Sequence, residues 1–162
     1  MEIAATPVAG GSTRSTAEPH LDAWHSLISA HAALVTRIEA ALGDEGLPPL
    51  SWYEVLTALS RAGEPGLRPR ELCLHLEISK SGLTRLVDRI AAAGLIERRD
   101  CPADRRGQVI VLTGAGVATL RRMKPIFARA HAEAFALELS PVEARTLCEL
   151  LERVRRCACT AD

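Results

Sequence analysis

Aromatic residues are scarce in this chain: two Trp, one Tyr and two Phe among 162 residues. A core with so few large rings must be built from aliphatic side chains. The many Ala and Leu, and the few β-prone runs, point to a mostly helical protein of one domain, long enough to bury a real core. No stretch approaches about 18 uninterrupted apolar residues and the N-terminus has no apolar leader segment, so no membrane partner is expected. Five cysteines, an odd number at irregular spacing, argue against a disulfide framework and make a reducing cytoplasm the default. The histidines, His20, His25, His31, His75 and His131, show no tight ligand spacing with Cys or carboxylates, so neither a metal nor another cofactor is expected. No Gly-rich phosphate loop, nucleophile elbow or separated acid pair is present either, which sets an enzyme aside.

Charge excess of one sign is missing as well: formal net charge is zero. Its distribution is uneven, however. Between Lys80 and Arg106 there are seven basic residues (Lys80, Arg85, Arg89, Arg98, Arg99, Arg105, Arg106) against four acidic ones, a local basic patch on an otherwise neutral chain. That patch lies within Ser79 to Thr113. There Ser79 is a helix cap, and Leu83, Leu86, Val87 and Ile90 make an apolar stripe at helical spacing that stops at Gly94. Leu95 to Arg99 and Gln108 to Leu112 read as hairpin strands, with Asp104-Arg105-Arg106-Gly107 as the loop between them.

The rest of the chain supplies a helical frame. Residues 1–20, rich in Ala, Gly, Ser, Thr and Pro, read as a disordered tail. The stripe Leu21, Trp24, Ile28, His31, Val35, Ile38 and Leu42 predicts a first helix ending at Gly43. Ser51 and Glu54 have the spacing of a capping box, with Leu50 stapling onto Val55, for a second helix from Trp52. Ala62 to Leu67 reads as a loop, at a place where winged-helix proteins often have a short extra strand. Pro69 opens a third helix behind Arg68, a poor cap that predicts a frayed start, and Glu77-Ile78 make the turn into the fourth. Thr113 caps a fifth helix running to Phe135, kinked near Arg121 to Met123 by Pro125. Ser140 and Glu143 form a capping box for a sixth.

A helix, a tight turn, a second capped helix and a basic hairpin suit a DNA duplex. The major groove, about 12 Å wide, admits one helix, N-terminus leading. Ser79, Ser81 and Gly82 allow close approach, Lys80 and Thr84 flank them, and Arg85 and Arg89 are placed to reach guanine edges or phosphates. Arg105 and Arg106 suit a narrow minor groove, with Asp104 pairing to a nearby Arg to fix the loop. A protein-binding winged helix is the alternative, but it has no need of guanidinium on both helix and wing.

The segment ELCLHLEISKSGLTRLVDRIAAAGLIERRDCPADRRGQVIVLTGAG resembles the MarR family of bacterial winged helix-turn-helix transcriptional regulators. The shared features are the TRLVDR core, the Gly-Leu-Ile before a charged strand, the Asp-x-Arg wing and the Leu-Thr-x-x-Gly that opens the next helix. The resemblance implies a mainly α fold with a small β-hairpin wing, in the order α-α-(β)-α-α-β-β-α-α, assembled as a triangular homodimer. Residues 21–46 and 117–159 would be the helical dimerisation region and residues 47–116 the DNA-binding lobe. Asp104 and Arg106 would be the Asp-x-Arg pair. The implied function is a sequence-specific, ligand-responsive repressor of the bacterial cytoplasm and nucleoid that binds an inverted-repeat operator. The implied effector, a small aromatic or anionic compound, would lie in a cleft for which Trp24, His25, Ile28, His31, Trp52 and Leu56 are candidates. Cys101, beside the wing, offers an alternative redox response.

Overall fold

A computed structural model gives the fold. It describes the backbone of residues 18–101 and 104–159, and the side chains of residues 18–100 and 107–156. The described helices are α1 (Glu18–Asp44), α2 (Leu50–Ala62), α3 (Pro69–Leu76), α4 (Lys80–Ala92), α5 (Gly114–His131) and α6 (Pro141–Cys159). A π-helical turn (Ala132–Ala136) follows α5 directly, and an antiparallel hairpin, β1 (Ile96–Cys101) with β2 (Asp104–Leu112), lies between α4 and α5. Among the described residues, those up to Ala33 form one compact unit and those from Leu34 onward a second.

The core of the second unit is aliphatic, as so few rings require. Leu42, Val55, Leu56, Leu72, Ile90 and Met123 are fully buried, with Leu59, Leu83, Val87, Ile110 and Leu120 nearly so. Each such side chain contributes about 1.5–3 kcal/mol relative to leaving it in water. Leu83, Val87 and Ile90 of the stripe expected on the fourth helix, with Leu72 of the third, are thus the core face of the helix-turn-helix.

Two glycines let backbones meet where no side chain fits. A Cβ on Gly116 would stand 2.0 Å from the Leu95 carbonyl oxygen, so the start of α5 can lie against the chain entering β1. A Cβ on Gly66, which has φ +66°, would stand 2.4 Å from the Ile110 carbonyl oxygen. That approach lets Leu67 exchange two backbone hydrogen bonds with Ile110, at 3.1 and 2.8 Å, so the expected extra strand is a single bridge to β2.

Several local expectations need correction. The first helix begins at Glu18, so residues 18–20 of the stretch read as a tail are helical; residues 1–17 lie outside the described residues. The second helix begins at Leu50 behind Pro49, with no side-chain cap. The Leu50 N–H instead donates to the Glu39 carboxylate at 3.0 Å, so a distant acid replaces the Ser51 box. The third helix is not frayed: the Arg68 N–H donates to Glu71 at 2.7 Å, satisfying one of the donors that a helix start leaves open. The fifth helix runs through Pro125, and the change from α geometry comes later, in the π-helical turn. The Thr113 and Ser140 caps form as expected, the first accepting from the Gly116 N–H at 3.1 Å and the second from the Glu143 N–H at 3.3 Å.

Candidate nucleic-acid interface

The start of α4 is built by Ser79. With φ −65° and ψ 152° it stands outside the helix, and its Oγ accepts from the Gly82 N–H at 3.2 Å while lying 3.3 Å from the Ser81 Oγ. Thr84 Oγ1 donates back to the Lys80 carbonyl at 3.0 Å. Because Leu83, Val87 and Ile90 are buried, helical geometry turns the other face outward, and Ser79, Lys80, Ser81, Gly82, Thr84, Arg85 and Arg89 are all exposed. The expected recognition-helix residues therefore share one solvent face.

The basic groups divide by partner. Arg98 on β1 pairs with Asp88 on α4, and Arg99 pairs with Glu97 at 2.6 Å. Lys80, Arg85 and Arg89 have no carboxylate partner among the described residues, so their charge stays available for a polyanion. Asp88, an acid on the outward face of α4, is thereby neutralised and joins α4 to the hairpin.

The wing differs from its expected form. Asp104-Arg105-Arg106-Gly107 is not the loop: β2 begins at Asp104, opposite Cys101. The pairing slips between Asp100 and Cys101, so residues 105–107 are extra on β2 where β1 has none. Such a bulge bends and twists a hairpin and re-aims the side chains on it. The side chains of Cys101, Asp104, Arg105 and Arg106 lie outside the described residues.

The residues expected around an effector fall in both compact units. Trp24 (57% accessible), Ile28, His25 and His31 are exposed on α1. Trp52 is half-buried, with its indole N–H buried and unpartnered among the described residues. Leu56 is fully buried in the core. The structure instead brings together residues the sequence did not single out. A hollow of about 440 Å³ between α2 and α5 is lined by Tyr53, Thr57, Arg61, Lys124, Phe127 and His131, among others. The Tyr53 and Phe127 rings stack there at 4.4 Å, and the Phe127 and His131 rings at 5.8 Å. The Thr57 hydroxyl is buried without a partner among the described residues. The hollow holds three basic side chains and no carboxylate.

The MarR family model matches residues 45–107, from the approach to α2 to the bulge in β2. Sco3205, a MarR family transcriptional regulator from Streptomyces coelicolor solved in complex with DNA, is 32% identical; the alignment covers 90% of this chain and 94% of that one, at a TM-score of 0.81. The chain belongs to the MarR family. Among curated proteins it is 32% identical to a putative transcriptional regulatory protein for the hcr operon of Thauera aromatica, over 69% of this chain and 65% of that protein's length. It is 29% identical to the multiple antibiotic resistance protein MarR of Escherichia coli, over 75% of this chain and 85% of that protein. Membership in this regulator family sets the enzyme reading aside. Among the described residues no helix is long and apolar enough to cross a membrane.

Proposed function

We propose that this chain is a homodimeric transcriptional regulator that binds an inverted-repeat DNA operator and acts as a repressor in the bacterial cytoplasm, on the nucleoid. The single observation that carries this reading is the outward face of α4. A capped helix start with small residues at its tip leads into two guanidinium groups, Arg85 and Arg89, that no described carboxylate neutralises. Amide N–H groups and the helix dipole at that start favour phosphate. Arg85 and Arg89 read base edges or clamp phosphates in the major groove. Arg105 and Arg106 serve the adjacent minor groove, with Asp104 fixing their strand.

The dimer follows from apolar surface left open on the end helices. Leu21, Trp24 and Ile28 on α1, and Leu150, Leu151 and Val154 on α6, are exposed large hydrophobics. Residues 21–46 and 117–159 form the dimerisation region and residues 47–116 the DNA-binding lobe. Twofold symmetry then sets two copies of α4 about 34 Å apart, one turn of DNA.

The regulator responds to a small aromatic anion, a reading supported by the hollow beside α2. Arg61, Lys124 and His131 suit the anion, the stacked Tyr53 and Phe127 suit a ring, and the buried hydroxyl of Thr57, which has no partner among the described residues, lacks a bond worth about 1–3 kcal/mol.

The test is operator binding after selection from random DNA. Arg85→Ala and Arg89→Ala should each weaken binding by about 1–3 kcal/mol with the fold intact, and parent affinity should fall steeply with salt. A flat salt response with unchanged affinity of both variants would favour the protein-binding winged helix instead.

A further inference from the structure

The turn of the helix-turn-helix is held by a residue in an unfavourable conformation. Glu77, which ends α3, has φ 52° and ψ 34°, and it is the single non-glycine residue with positive φ among the described ones. Left-handed backbone costs a side-chain-bearing residue free energy and persists where surrounding contacts over-determine it. One such contact comes from far along the chain. Arg155 on α6 reaches the Glu77 carboxylate at 3.5 Å, while its other guanidinium nitrogen holds Glu152, one turn back on α6, at 3.0 Å. Glu152 thus aims the guanidinium that Glu77 receives. Two residues beyond Glu77 stands Ser79, the cap that sets where α4 begins.

We infer that Arg155 is a positioning residue for DNA reading: through Glu77 it fixes the helix-turn-helix turn, and with it the pitch of α4, relative to the C-terminal helix. This rests on the reading of the chain as a DNA-binding dimer. If α6 is dimer-forming, the link transmits the geometry of the twofold interface to each recognition helix. Its work is to hold the two copies of α4 at one separation. An exposed ion pair contributes little to stability, so its loss should spare folding and dimerisation. What it restricts is a lever arm, and the consequence appears in spacing.

The experiment uses the full chain and two DNA duplexes, the selected operator and the same operator with one base pair inserted between its half-sites. The parent should bind the inserted duplex much more weakly. Arg155→Ala and Glu77→Gln should each narrow that difference by about two- to fivefold, the range a pair of this strength can impose, with sedimentation and melting unchanged. Arg155→Lys should restore part of the discrimination and the exchange Glu77→Arg with Arg155→Glu most of it. Equal discrimination by Arg155→Ala and the parent would overturn the inference. So would a loss in Arg155→Ala that the charge exchange fails to repair, since that marks a packing effect. A parent that selects no operator would instead defeat the DNA-binding reading, so the two failures are distinguishable.

Discussion

At the scale of single residues, two positions make predictions that depend on one atom each. Gly116 is fixed by the Leu95 carbonyl 2.0 Å from where a Cβ would stand, and both are backbone or backbone-bound, so neither can swing aside. Gly116→Ala should destabilise the fold by about 1–3 kcal/mol, the usual cost of forcing extra atoms into filled space, as read from the midpoint of denaturant unfolding. Glu143 is the second position. The Ser140 hydroxyl, and after it the Ser140 backbone N–H, hold its carboxyl below the ordinary carboxylate range. A depressed folded-state value means a contribution to stability that is present above the unfolded-state value and lost as pH falls through the folded one. A carbon-detected NMR titration should therefore find Glu143 ionising at lower pH than free glutamates. Ser140→Ala should bring it back towards them; an unchanged titration in that variant would exclude the hydroxyl as the cause.

Elements were legible in the sequence wherever the signal was local. Ser79, Thr113 and Ser140 cap as their spacing required, because a hydroxyl three residues before a free N–H needs nothing else from the fold. The failures have non-local causes. Ser51 and Glu54 had the spacing of a cap, but Glu39 of α1 lies close enough to take the Leu50 N–H first. The wing was misplaced because Gly107 reads as a turn residue, whereas here it sits in a bulge of β2. The hollow was illegible for a related reason: Arg61 is on α2 and Lys124 and His131 are on α5, and only the packing of α2 against α5 brings them together. The paired scarcity of Tyr53 and Phe127 in a chain of few rings was the one usable hint. The link between Glu77 and Arg155 joins residues 78 positions apart and left no local trace.

At the scale of the whole molecule, a neutral chain distributes its charge and apolar surface to separate faces. The basic face of α4 has no described acid against it except Asp88, while α6 leaves Leu150, Leu151 and Val154 open to solvent. Val154, 60% accessible, gains nothing by exposure and can be replaced without touching the core. Val154→Arg should convert a dimer into monomers by sedimentation at micromolar concentration while leaving helical content unchanged, and operator affinity should fall with it. A dimer that survives this change at undiminished affinity would move the interface away from α6.

The π-helical turn at Ala132–Ala136 sets the phase of everything after it. One residue more than an α-helix needs rotates the following chain by about 100° about the axis of α5. Chain length at that one turn, rather than the chemistry of any side chain, thus selects the direction in which the polypeptide leaves α5 for α6. Removing one residue there would heal the helix, and it would present a different side of the same sequence to a second copy.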